Sequence, residues 1–205
     1  MTLYPSYFCD IISLCYIYDA ENLVFEKHGN FVKQTYRNRC YIAGPNGKQS
    51  LNIPTQHTGK GQSVSYAAIE IDHSEPWSTN HLKSIKSAYN SSPFYQFYED
   101  DLNALFEEIP INLYDWNLKT IKFVFDHIGL EKGIHFTQDF ANNSRANRLI
   151  TAKGKAITTL DKYIQVFQEK HGFIQPLSGL DLLFNLGPSA MAYLKCQQSK
   201  LPIFS

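Results

Sequence analysis

The chain has 205 residues, 43% of them apolar and 14% aromatic, and its 19 basic side chains are balanced by 19 acidic ones. That composition supplies a substantial core and excludes disorder. Zero net charge argues against general nucleic-acid binding, which needs a basic excess to displace counterions.

No apolar run reaches the roughly 18 to 20 residues needed to cross a bilayer, so no stable membrane insertion is expected. One domain over residues 1–205 is the expectation at this length. Residues 11–17 are apolar, but they lack a basic flank and sit between Asp10 and Asp19, so they do not read as a signal peptide. Cys9, Cys15, Cys40 and Cys196 show neither C-x-x-C nor zinc-finger spacing, which fits reduced thiols in a cytoplasmic protein.

Tyr4-Pro5-Ser6 opens a loop, residues 7–17 have helical or mixed spacing, and Leu23-Val24-Phe25 reads as a short strand. Residues 39–43 and 49–53 flank Gly44-Pro45-Asn46-Gly47. Pro presets a turn and Gly accepts positive φ, which predicts a β-hairpin with a bulge at Gly47. Residues 56–63 are polar and Gly-rich and read as a mobile loop. Alternation over residues 64–72 predicts another strand.

The pattern then turns helical. Trp77, His81, Ile85 and Ala88 share one face of residues 76–89. Ser92-Pro93 reads as an N-cap and first helical position, followed by a stripe from Phe94 to Phe106. Residues 113–128 repeat the helical pattern and stop at Gly129, whereas residues 131–159 are polar and poorly periodic. A last helix over residues 178–186 starts at Ser178, with Asp181 three positions on, and stops at Gly187-Pro188. Strands early and helices late predict a mixed α/β (α+β) fold: N-terminal strands with a β-hairpin, then a mainly helical C-terminal half.

Walker, GxGxxG, GxSxG and HExxH signatures are absent, so no cofactor and no metal is expected. Asp100-Asp101 reads as a solvated helix face. The densest polar stretch is residues 33–39, KQTYRNR. Arg37 and Arg39 can fork onto a phosphate or carboxylate, while Lys33 adds a point charge. Gln34 and Asn38 can bind hydroxyls or an oxyanion, and Tyr36 can stack on a sugar ring. On a strand the two arginines would share a face, so they need an anion or an acidic partner, for which Glu21 and Glu26 are available.

Each remaining candidate carries two readings. His81 is a semi-buried histidine on an apolar face or a general base. Cys40 is a small core residue or a nucleophile activated by the adjacent cations. Asp181 and Asn185, at i and i+4, are a cap on a core helix or a polar pair lining the arginine cavity, with Asp181 orienting His81.

Four ordered blocks, YPSYFCDI, FVKQTYRNRCYIAGPNGKQSLNIP, EPWSTNHLKSIKSAYNSSPFYQFYEDDL and YIQVFQEKHGFIQPLSGLDLLFNLGP, resemble the WbqC-like proteins nearly end to end. The resemblance implies a role in bacterial O-antigen and other surface-polysaccharide biosynthesis. A glycine-transferase activity, with a nucleotide-linked amino sugar as small-molecule substrate, is one expectation. A non-catalytic sugar-binding accessory or scaffold protein is the other.

Overall fold

The structure, a computed structural model, describes residues 1–56, 63–152 and 159–201. The predicted loop at residues 56–63 falls largely outside the described residues, as do residues 153–158 of the unpatterned stretch.

Three short parallel strands form the first sheet in the order β1 (Thr2–Leu3), β2 (Leu23–Phe25), β5 (Ile134–Phe136). Parallel neighbours require a crossover, and between β1 and β2 this is helix α1 (Ile11–Asp19). Asp10 starts that helix: its Oδ1 accepts from the Ile12 and Ser13 amides at 3.1 Å each, and its Oδ2 accepts from the Ser13 hydroxyl at 2.6 Å. Because α1 is apolar all round, it is buried from Ile11 through Ile17.

β3 (Arg39–Gly44) and β4 (Gly47–Asn52) form the expected antiparallel hairpin. Gly47 takes φ +97°, but the pairing runs unbroken from Arg39–Asn52 to Gly44–Gly47, so there is no bulge. Residues 64–72 are not a strand. They form a 3-10 turn at Tyr66–Ala68 with isolated bridges on either side. Tyr66 explains the difference. Its ring is fully buried between Phe31 and Tyr114 and its hydroxyl donates to the Pro5 carbonyl at 2.8 Å, so tertiary contacts override the alternation.

Helix α2 (Trp77–Tyr89) buries Trp77, His81, Ile85 and Ala88 as predicted. Helix α3 begins later than expected, at Tyr95–Glu107. Ser92 does not cap it. The Ser92 amide and hydroxyl both donate to the Tyr89 carbonyl, at 2.8 and 2.7 Å, and so close the end of α2. Helix α4 (Leu113–Ile128) ends where Gly129 turns left-handed at φ +75°, a conformation that only glycine adopts freely. Strand β5 and helix α5 (Ser144–Leu149) lie in the stretch that carries no sequence period. β5 has just three residues, two of them exposed, and is too short to show one.

The C-terminal part adds α6 (Gln168–His171), α7 (Gly179–Leu186) and α8 (Ala190–Gln197). α7 is buried from Gly179 through Asn185 and packs on α3, α4 and β3. The result is a mixed α/β architecture with its helices concentrated after the hairpin.

Candidate functional site

In a parallel sheet the strand carboxyl ends form one rim, and the residues just beyond them face a common space. Here those residues are Tyr4 after β1, Glu26 after β2 and Thr137 after β5. Glu26 is fully buried. Its Oε1 accepts from the His28 amide at 2.7 Å and the Thr137 hydroxyl at 3.2 Å, while Oε2 accepts from the Ala141 amide at 3.0 Å. One carboxylate therefore ties together the loops that leave β2 and β5.

Residues 33–38 form a turn rather than a strand, and the turn brings Arg37 onto Tyr4 at this rim. Gln34 sits in the left-handed region at φ +64°, and so does Phe8 at φ +45° in the loop after β1. Such conformations persist in non-glycine residues where surrounding contacts impose them. The Tyr36 amide donates to the Ile150 carbonyl and its carbonyl accepts from the Tyr7 amide, both at 2.9 Å, which pins the turn.

Arg37 is carried inward by that turn until only 2% of it is exposed. Its guanidinium lies 3.9 Å from the centre of the Tyr4 ring and 5.4 Å from that of Tyr66. Nη1 donates to the Thr35 hydroxyl at 3.4 Å, while Nε has no hydrogen-bond partner among the described residues. Burial pulls the Arg37 pKa down, and Tyr66 and Tyr4 oppose the shift. Among the described residues no carboxylate pairs with it. The two acidic partners expected from the sequence are not available: Glu26 accepts from amides and Thr137, and Glu21 is exposed.

The inner face of α4 completes the cluster. Asn117 Nδ2 donates to the Arg37 carbonyl at 2.6 Å and to the Tyr66 hydroxyl. Tyr114, one turn earlier on α4, packs edge-on to Tyr66 with ring centres 5.2 Å apart. Its hydroxyl and Asn117 Oδ1 are buried without a hydrogen-bond partner among the described residues. Arg37 Nε, Tyr114 Oη and Asn117 Oδ1 are thus three unbonded buried polar atoms on residues that each contact Tyr66, and buried polar atoms are normally bonded.

The other sequence-derived candidates separate. Lys33 and Gln34 are exposed, and Tyr36 is buried edge-on to Tyr41. Asn38 Nδ2 donates to the Ile53 carbonyl at 3.4 Å. Arg39 opens β3, so strand alternation cannot put it on one face with Arg37, which precedes the strand. Cys40 is 1% exposed beside Ser178, and burial pushes its thiol well up, opposite to activation by the arginines.

His81 is 6% exposed. Its Nε2 lies 3.1 Å from the Asn52 carbonyl, which can only accept, so Nε2 carries the proton and Nδ1 accepts from the Tyr7 hydroxyl at 3.0 Å. Burial lowers its pKa to about 4, with the Asn52 carbonyl opposing. Asp181 lies elsewhere. Its carboxylate accepts from the Tyr89 hydroxyl at 2.9 Å, Gln165 Nε2 at 3.0 Å and the Tyr163 hydroxyl. Asn185 Nδ2 donates to the Asp181 carbonyl at 2.8 Å. Asp181 therefore orients two tyrosines and not His81, and Tyr89 stands about two helical turns from His81 along α2.

Tyr4, Glu26, Tyr66, Tyr114, Asn117 and Thr137 were not among the sequence-derived ligand-binding residues. Tyr4 and Glu26 had a usable signal, because each directly follows a strand-like run. An open depression of about 560 Å³ on the outer side of α4 is a poorer candidate. Its Lys122 already pairs with Asp126 at 2.8 Å, and its Lys132 donates to the Ala20 carbonyl. Among the described residues no group of three His, Cys, Asp or Glu could hold a metal ion, and no helix is long and apolar enough to cross a membrane.

Comparison with curated proteins and with solved structures gives no match. The sequence model of one family does match, over residues 14–164, and this span includes Glu26, Arg37, Tyr66, Tyr114 and Asn117. The chain belongs to the WbqC-like protein family.

Proposed function

We propose that the chain serves bacterial surface-polysaccharide assembly by holding an anionic, sugar-bearing ligand, such as a nucleotide-linked amino sugar, at the Arg37 cluster. One observation carries this reading: Arg37 is buried, forms no ion pair with a carboxylate among the described residues, and keeps Nε unbonded. A buried guanidinium is costly unless paired, and a phosphate or carboxylate is its geometric complement. Its position at the carboxyl ends of parallel strands is where open α/β sheets bind ligands. The Tyr4 ring covers the guanidinium, so entry of a ligand requires that ring to swing aside.

Transfer of glycine or another small acyl group would need a base beside the bound amine. His81 has both nitrogens engaged and a depressed pKa, and Cys40 is buried with a raised one. The geometry therefore supports the binding reading ahead of the transferase reading.

The test is thermal unfolding of wild type and Arg37→Met with increasing UDP-N-acetylglucosamine or phosphate. Wild type should gain stability as RT ln(1 + [L]/Kd), about 2.7 kcal/mol at a hundredfold excess over Kd. Arg37→Met should melt near the ligand-free wild type and show no shift. If no anion shifts wild type and Arg37→Met is severely destabilised, Arg37 holds the fold together and binds nothing.

A further inference from the structure

We infer that the Arg37 site selects ligands carrying a hydrogen-bond donor, a hydroxyl or an amine, beside the anionic group, and that Tyr114 is the residue that reads this donor. The inference rests on the reading of Arg37 as the anion-holding group.

The polarity of the cluster follows from its bonds. The Arg37 carbonyl can only accept, so the Asn117 atom facing it must be Nδ2 and the amide cannot be flipped. The Tyr66 hydroxyl donates its one proton to the Pro5 carbonyl and accepts from the same Nδ2. Asn117 Oδ1 is left as an acceptor without a donor, and Asn117 is fully buried. Three residues earlier on the same helix, the Tyr114 hydroxyl is likewise unbonded on a residue only 3% exposed. The Glu26 carboxylate raises the Tyr114 pKa further, after burial itself, so that phenol stays protonated in a negative local field. Around Tyr66, on which the guanidinium also packs, there is thus a wall of unbonded acceptors: Asn117 Oδ1 and the Tyr114 oxygen. An anion satisfies Arg37 alone. A ligand with an adjacent hydroxyl or ammonium satisfies the wall as well, which matches an amino-sugar phosphate better than a bare anion.

Tyr114 permits a clean test, because Tyr114→Phe removes just the unbonded hydroxyl, whereas Asn117 also holds Arg37 and Tyr66. The probes are sulfate, which has no donor at neutral pH, and a glucosamine phosphate, which has several. Wild type should bind the glucosamine phosphate at least about tenfold more tightly than sulfate. Tyr114→Phe should lose most of that preference while keeping its ligand-free melting temperature, which a purely structural hydroxyl would lower. Equal wild-type affinities for the two probes would overturn the selectivity, and a preference that survives Tyr114→Phe would overturn the role of Tyr114, while the Arg37 reading stands in both cases. Failure of both probes to bind wild type would overturn the Arg37 reading, and the role of Tyr114 with it. Should Tyr114→Phe not fold, the ratio of the two wild-type dissociation constants still decides the selectivity.

Discussion

The Arg37 guanidinium stacks on the Tyr4 ring at 3.9 Å with no carboxylate pairing it among the described residues. A stacked planar cation and a point charge behave differently in such a place. Ammonium is the more strongly hydrated group and loses more on burial, whereas methionine fills the volume with no charge to desolvate. Urea unfolding of the ligand-free proteins should therefore rank Arg37→Met at or above wild type and Arg37→Lys about 1–3 kcal/mol below it. If lysine proved more stable than methionine, the positive charge itself would be holding the fold, and the ligand reading would fail.

His81 sets a pH dependence whose sign can be worked out. Its pKa falls from 6.5 to about 4 on folding, so the native state keeps the ring neutral while the unfolded chain takes up a proton below pH 6.5. Stability from this residue is complete above that pH, falls as pH drops toward 4, and is flat below. The total is about 3 kcal/mol. Asp10 and Asp181, whose pKa values burial raises, contribute with the opposite sign, since their protonation favours the folded state. Comparison with His81→Gln cancels them. The difference in unfolding free energy between the two proteins should change by about 3 kcal/mol across that window, and a constant difference would contradict the buried neutral imidazole.

The Asp181 network joins three parts of the chain: Tyr89 on α2, Tyr163 and Gln165 before α6, and α7 itself. Tyr89→Phe removes one donor to a buried carboxylate, at a cost of about 1.5–3 kcal/mol near neutral pH. The donor matters most to the ionised carboxylate, so its loss should raise the Asp181 pKa further. The penalty should accordingly shrink at about pH 5 relative to about pH 7, measured by urea unfolding at both. A penalty that grows toward acid pH would show that Asp181 is not the partner that matters.

The hairpin, the apolar face of α2 and the end of α4 were legible because each has a local cause: a Gly-Pro-Asn-Gly turn, a helical period and a terminal glycine. The parallel sheet was not. Its strands are two or three residues long, and β5 joins β2 from more than a hundred positions away, so no window contains the pairing. The site divides the same way. KQTYRNR marked where the cation sits, but Tyr66 and Asn117 reach Arg37, and Tyr114 reaches Tyr66, through burial alone, and their sequence context reads as plain apolar pattern. Ser178, read as a helix cap, and Asp181, read as its capping-box partner, behave otherwise. The Ser178 side chain makes no capping bond, and the Asp181 carboxylate faces away toward two tyrosines.

The Tyr4 ring that stacks on Arg37 lies directly against Gly29. A methyl group on Gly29 would stand 2.5 Å from the Tyr4 hydroxyl oxygen and 2.6 Å from its Cε1, closer than any real contact, so the ring must shift. Gly29 cannot easily yield instead, because its carbonyl accepts from the Tyr66 amide at 2.8 Å and the preceding His28 amide is held by Glu26. Gly29→Ala should therefore displace Tyr4 from the guanidinium and cost about 1–3 kcal/mol of stability, as overpacking does. It should also expose Arg37, which phenylglyoxal followed by peptide mass spectrometry can read as faster modification at that residue than in wild type. Tyr4→Ala should speed the modification without any overpacking, and this separates uncovering from general loosening. Unchanged Arg37 reactivity in both variants would mean that Tyr4 is not the cover, and that a ligand must reach the guanidinium from another side.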